Sequence, residues 1–321
     1  MVFFNIETKI MNIVIVGQGA IGLLWYAHLQ SLRSPTINLS LLTSRSNKNQ
    51  QARQHCYFYT HFLGLSEQRT YQVASPQKIK QADTIIVCVK SYQVAEVIDY
   101  ISPLLQPKAT LVLAHNGMGT LEEISPLLNA QQSILTLLTT HGCTRAMPFH
   151  IIHTGLGDTH LGAVQGRQDV IFQQQLVQLL NQAMPCVSWQ NNIIEKQWLK
   201  LAVNCVINPL TALNNVNNGD ITKICYQAKI TKIIAEIVAV AQAEGQYLNT
   251  TELQQQVLNV AEKTAKNCSS MRADVLAKRE TEIHYINGYI HRLGVKHHIN
   301  TRENTQLWQA IMATHPDKSV S

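Results

Sequence analysis

Residues 12–16, Asn-Ile-Val-Ile-Val, run directly into Gly17-Gln18-Gly19-Ala20-Ile21-Gly22, and this junction constrains the fold more than any other stretch of the chain. A short, mostly β-branched apolar run is the pattern of a strand buried on both faces of a parallel sheet. The glycines have distinct uses. Gly17 permits a tight turn, Gly19 lets backbone approach a pyrophosphate, and Gly22 lets helix and strand pack closely. The helix expected over 20–31 then points its free amides at phosphate oxygens. Gly17, Gln18, Gly19, Ala20, Ile21 and Gly22 are therefore read as cofactor-binding residues of a βαβ dinucleotide unit.

Further strands are expected at 37–42, 84–89 and 110–114, with 133–140 and 150–161 completing the sheet. Strands alternating with helices imply an α/β, Rossmann-type doubly wound parallel sheet. After Val187-Ser188-Trp189 the periodicity becomes helical, over 195–207, 229–245, 252–265 and 281–293, which predicts an all-α C-terminal domain. With 321 residues the chain can bury two cores. The expected division is a disordered extension or upstream start at 1–10, with Met11 as an alternative start, a cofactor domain at 11–190 and a helical substrate and catalytic domain at 191–321. The tail from Thr314 is expected to fray.

A hydrophobic fraction of 45% with 14% charged residues describes a compact protein rather than a disordered or fibrous one. The net charge of +6 comes without a basic block or basic–aromatic interleaving, so small anionic ligands fit better than nucleic acid. No apolar run approaches the roughly 18 residues of a membrane span. The N-terminus carries Glu7 and no basic n-region, unlike a secretory signal. Seven scattered cysteines without a CxxC pair suggest reduced thiols in the cytoplasm and no zinc site.

The choice of nucleotide follows from an absence. An NAD site places an acid after the second strand to bind the ribose 2′-hydroxyl, yet no Asp or Glu occurs between Gly22 and Glu67. Thr43-Ser44-Arg45-Ser46-Asn47-Lys48 stands there instead. It suits a 2′-phosphate, with Arg45 making the charge-assisted contact, and so favours NADPH/NADP+. The alternative is that Arg45 and Lys48 are solvated loop charges. Val89-Lys90-Ser91-Tyr92-Gln93 and His115-Asn116-Gly117-Met118-Gly119 end two strands on the side where open α/β sheets bind ligands. Asn-Gly also makes ordinary turns.

In the segment Trp198 to Pro209, Lys200, Asn204 and Asn208 are spaced i, i+4, i+8. They fall within about 80° of one another on a helix otherwise covered by Leu201, Val203, Val206 and Ile207. This stripe is expected to face a ligand, a second domain or a wet cleft. Desolvation there would lower the lysine pKa toward neutrality. A snorkelling lysine with two asparagines capping neighbouring turns is the alternative. Pro209 predicts a break or kink just after Asn208.

With Asn267-Cys268-Ser269-Ser270-Met271 and Thr281-Glu282-Ile283-His284-Tyr285-Ile286-Asn287-Gly288, these motifs resemble those of the 2-dehydropantoate 2-reductase (ketopantoate reductase) family over nearly the whole chain after Met11. The resemblance implies reduction of 2-dehydropantoate to (R)-pantoate in pantothenate biosynthesis, with hydride passing from NADPH to the ketone carbon. It implies that Lys200 donates the proton and that Glu282 is the second catalytic residue, orienting substrate through its hydroxyl. Asn116, Asn204, Asn208 and Ser270 match substrate-binding positions, joined by Lys200 and Glu282. Arg45, Lys90, Gln93 and Asn116 match the cofactor side. Without the resemblance, Glu282 beside Arg279 and Glu280 reads as a helix-surface acid. The alternatives are a reductase of another branched 2-oxo acid and a non-catalytic NADP(H) sensor. A small-molecule substrate is the expected partner, and a monomer or homodimer the expected assembly.

Overall fold

The structure, a computed structural model, describes residues 10–44, 55–166 and 169–314. The expectations for the extension before Ile10 and for the tail beyond Thr314 lie outside these residues, as does Arg45. Two compact units are present. Among the described residues, the first takes in those up to His115 and from Ile124 to Ile193, and the second Asn116–Glu123 and those from Ile194 onward. The short segment 116–123, which follows a strand of the first unit, thus clusters with the helical one.

Eleven strands are found among the described residues: β1 (Met11–Val16), β2 (Ile37–Leu42), β3 (Cys56–Thr60), β4 (Ser66–Thr70), β5 (Thr84–Val87), β6 (Thr110–Leu113), β7 (Ser133–Thr139), β8 (Gly142–Met147), β9 (His150–Gly155), β10 (Thr159–Gln165) and β11 (Val187–Trp189). Seven form a sheet in the order β11-β10-β7-β6-β5-β1-β2, parallel except where β10 runs antiparallel to β7. Every residue of β5 and of β6 is buried, as continuous apolar runs require when helices cover both faces. Val16 lies opposite both Leu42 and Val87, and Val87 opposite Leu113. The chain therefore leaves β1, β2, β5 and β6 at one edge, where ligands bind in sheets of this type.

The expected strand at 150–161 is two strands in different sheets, β9 and β10. Gly157 makes the turn between them, where a Cβ would lie 2.5 Å from the Thr140 carbonyl carbon. β9 belongs to a second, four-stranded sheet, β4-β3-β9-β8, that the hydrophobic pattern did not predict. Its β4, Ser-Glu-Gln-Arg-Thr, carries no apolar face. It is held by its ladder to β3 and by Arg69, whose Nη1 donates to the Ala27 carbonyl at 2.7 Å and the Ser31 hydroxyl at 2.8 Å. β3 turns Tyr57 and Tyr59 inward against the helix Ala20–Ser31 and leaves Phe58 exposed. His28, His141 and His153 pack beside them, and burial pushes His28 down to about 4.

The second unit is helical: Ile193–Asn214, Ile224–Ala243, Thr250–Lys263, Ser270–Leu276, Asn287–Lys296 and Arg302–Met312. Its core gathers Trp198, Val206, Ile233, Ile237, Val257, Ile290 and Leu307. The last helix escaped prediction because buried Asn304 occupies a core position where the pattern calls for an apolar residue. Of the break or kink expected after Asn208, the break does not occur: the stripe helix runs through Pro209 to Asn214, and the Cys205 carbonyl that loses its backbone donor finds another. Nor is 281–293 one helix: a 3₁₀ turn, Ile283–Tyr285, precedes Ile286 at φ −109°, ψ −99°, and the α-helix starts at Asn287. Among the described residues, no helix is long and apolar enough to cross a membrane.

Candidate active site

At the fingerprint the three glycines answer different demands. Gly17 has φ +109°, and a Cβ there would lie 2.7 Å from the Cys88 carbonyl oxygen; one on Gly22 would lie 2.1 Å from the Gly17 oxygen. Both are required by the protein's own packing. A Cβ on Gly19 would approach nothing nearer than the Cys88 oxygen at 3.8 Å, so that glycine leaves open backbone at the N-cap of the helix Ala20–Ser31. No side chain caps this helix, and its first turn, with Ala20 and Ile21, holds no acid. Free amides and the positive end of the helix dipole fit a pyrophosphate.

Gln18 fastens this turn to the end of β2. Its Nε2 donates to Ser44 Oγ at 2.8 Å, and Ser44 N donates to its Oε1 at 2.9 Å. Sequence reasoning assigned Gln18 to the turn alone and missed Ser44 as its partner, since nothing in the spacing marks a contact 26 residues apart. After β5, Lys90 precedes the 3₁₀ turn Ser91–Gln93, and its N–H donates to Gln93 Oε1 at 3.3 Å.

In the second unit the stripe is real. Lys200 and Asn204 are half-buried and Asn208 is buried, while Leu201, Val203, Val206 and Ile207 fill the core. Burial lowers the Lys200 pKa to about 8, with the Glu282 carboxylate acting in the opposite direction. Asn208 is only 7% exposed and Asn204 half-buried, so both side-chain amides stand largely out of bulk water.

Glu282 is only 4% exposed, so it is not the surface acid that its neighbours Arg279 and Glu280 suggest. It occupies the turn before Ile283–Tyr285 and accepts from Asn116 Nδ2 at 3.3 Å. Asn116 reaches it because the segment 116–123 is seated on that turn. Met118 N donates to the Tyr285 carbonyl at 2.8 Å, Gly117 at φ +85° approaches the same carbonyl, and the Tyr285 hydroxyl donates to Glu123 Oε2 at 2.9 Å. Asn116 thus stands with Glu282 in the helical unit.

Ser270 is exposed at the start of the helix Ser270–Leu276. The buried residue is its neighbour Ser269, whose Oγ accepts from Arg272 N at 3.1 Å and lies 2.7 Å from Thr211 Oγ1. Thr211 in turn donates to the Ile207 carbonyl at 2.7 Å. This pair fixes the start of the Ser270 helix one turn beyond Asn208. Ser269 is the N-cap of this helix, a role the sequence reading did not assign.

A dinucleotide cradle in one unit and a low-pKa lysine beside a buried carboxylate in the other define a nucleotide-dependent oxidoreductase. Residues 13–166 match the family model described as ketopantoate reductase PanE/ApbA, and residues 192–315 match its C-terminal counterpart. The chain is 35% identical over 319 residues to the 2-dehydropantoate 2-reductase of Yersinia pestis, covering 96% of each protein. It is 37% identical over 306 residues to that of Vibrio cholerae, covering 94% of this chain and 97% of the relative. The chain belongs to the ketopantoate reductase family. Its fold is shared by a D-mandelate dehydrogenase solved with NADH and anilino(oxo)acetate, at TM-score 0.86, 22% identity and coverage of 95% and 98%. A PanE/ApbA family ketopantoate reductase from Ralstonia eutropha shares it at TM-score 0.82, 23% identity and the same coverage.

Proposed function

We propose that this chain reduces 2-dehydropantoate to (R)-pantoate with NADPH, the ketone-reduction step of pantothenate (vitamin B5) and coenzyme A biosynthesis. The observation that carries the reading is Lys200, a partly desolvated lysine with a pKa of about 8 under the influence of Glu282, within a family of ketopantoate reductases. NADPH supplies the hydride to the ketone carbon. Lys200 hydrogen-bonds the ketone oxygen as an ammonium and releases a proton to it as negative charge develops. Glu282 accepts the substrate hydroxyl and keeps the lysine pKa from falling further. Asn116, Asn204, Asn208 and Ser270 hydrogen-bond the substrate, Asn204 and Asn208 from the same stripe as Lys200.

In this reading residues 11–190 are the cofactor domain and residues 191–321 the substrate and catalytic domain. Gly17 to Gly22 hold the pyrophosphate, Arg45 pairs with the 2′-phosphate, and Lys90, Gln93 and Asn116 complete the cofactor contacts. The protein works in the cytoplasm on a small-molecule substrate, without nucleic-acid or membrane partners, as a monomer or homodimer. A ketopantoate reductase from Staphylococcus aureus described as dimeric shares the fold at TM-score 0.76 and 22% identity.

The pH dependence of turnover tests the reading. Lys200 must be protonated to donate, so activity is present below its pKa and lost as pH rises through about 8. Glu282→Gln removes the charge that opposes desolvation. The lysine pKa then falls, and the alkaline limb moves to lower pH as turnover drops. A limb that stays in place in Glu282→Gln would show that another group titrates.

A further inference from the structure

Pro209 lies inside the stripe helix, four residues after Cys205, and has no N–H to give the Cys205 carbonyl. Cys205 is fully buried, so water cannot satisfy that oxygen. Asn287 does so instead. Its Nδ2 lies 3.0 Å from the Cys205 oxygen and 3.0 Å from Asn304 Oδ1, so both amide protons are used. Asn304 is held by Glu236 Oε2, which accepts from its Nδ2 at 2.8 Å. Asn287 is fully buried, and its own Oδ1 has no partner. The side chain stands in the core for its two donors alone.

The two ends of this bond matter more than the bond. Cys205 follows Asn204 on the helix that carries Lys200, Asn204 and Asn208. Asn287 opens its helix five residues after Glu282, separated from it by the 3₁₀ turn Ile283–Tyr285 and Ile286. If stability alone were served, alanine at position 209 would complete the helix ladder and a leucine at position 287 would fill the space. The chain has instead a residue that opens the ladder and a residue from another helix that closes it. The net result is a link between two elements.

We propose that Pro209 and Asn287 are positioning residues: the proline frees the Cys205 carbonyl, the asparagine captures it, and this tie sets the placement of Glu282 relative to Lys200. The proposal rests on the reading of Lys200 as proton donor. Its test compares Pro209→Ala, Asn287→Leu, the double variant and Lys200→Ala by thermal unfolding and by steady-state kinetics with NADPH and 2-dehydropantoate. Pro209→Ala should unfold at the parental temperature or above while kcat falls roughly ten-fold or more, with the KM for NADPH unchanged. Asn287→Leu should lose both stability and kcat. In the double variant the backbone N–H gained at position 209 satisfies the Cys205 carbonyl, so stability recovers, but kcat stays low because a bond within one helix does not reach the turn of Glu282. A merely structural tie predicts the opposite. Parental kcat in Pro209→Ala, or kcat that recovers with stability in the double variant, overturns the proposal. Should Asn287→Leu not fold, Pro209→Ala decides alone. An inactive Lys200→Ala together with an unaffected Pro209→Ala removes the tie but keeps the donor. Parental turnover in Lys200→Ala removes the donor and the tie with it.

Discussion

Lys200→Ala is expected to lower kcat for 2-dehydropantoate reduction by roughly 10²–10⁴-fold, the usual contribution of a positioned general acid, while leaving NADPH binding nearly unchanged. Two features of the site set this magnitude. Burial places the lysine pKa at about 8, so near neutrality the group is protonated yet acidic enough to release its proton to a developing alkoxide. In the proposed role the ammonium also stabilises negative charge on the ketone oxygen before the proton moves, and the half-buried setting strengthens that interaction relative to water. The glycine turn Gly17 to Gly22, proposed to hold the cofactor, lies in the other compact unit, so nucleotide affinity measured by fluorescence titration should change little. Turnover within a few-fold of the parent would mean that solvent or another group supplies the proton.

Gly117→Ala should be almost as damaging, although residue 117 contributes no side chain. A Cβ there would lie 2.3 Å from the Tyr285 carbonyl oxygen and 2.7 Å from its carbon, and a backbone carbonyl cannot rotate away. Relief requires the segment 116–123 to lift, which breaks the 2.8 Å bond from Met118 N to Tyr285 and withdraws Asn116 from Glu282. A displacement of about 1 Å in a catalytic constellation costs on the order of 10²-fold. A loss of that size in kcat/KM is expected. Positive φ by itself costs roughly 1–2 kcal/mol in a residue with a Cβ. Gly64→Ala separates the two effects, because Gly64 also has φ +85° but a Cβ there meets nothing within 4 Å. It should lower the unfolding temperature modestly and leave activity intact. Equal activity losses in the two variants would refute the steric account.

Where a short periodic signal sufficed, the fold was legible in the sequence. β2 and the helix Ala20–Ser31 have the expected ends, and β1 begins one residue earlier than expected. The order of glycines marked the turn between β1 and the helix Ala20–Ser31, and the spacing of Lys200, Asn204 and Asn208 marked the stripe. Structure that is held together by polar contacts was not legible. β4 has no hydrophobic face and exists through its ladder and Arg69, and the helix Arg302–Met312 places an asparagine in the core. Pro209 reads as a helix break until Asn287, far along the chain, is known to mend it. Glu282 reads as a surface acid because its burial depends on a 3₁₀ turn and on a segment that follows β6. Local sequence shows which groups could do chemistry, whereas their burial is decided by distant partners.

The claim that this reductase is built for 2-dehydropantoate is tested most directly by comparing kcat/KM, with saturating NADPH, for 2-dehydropantoate and for 3,3-dimethyl-2-oxobutanoate, which differs only in lacking the hydroxyl that Glu282 is proposed to accept. A site made to hydrogen-bond a hydroxyl leaves its polar groups unpaired when that hydroxyl is missing, so a preference of roughly 10²-fold or more for 2-dehydropantoate is expected. A ratio near one would contradict the account.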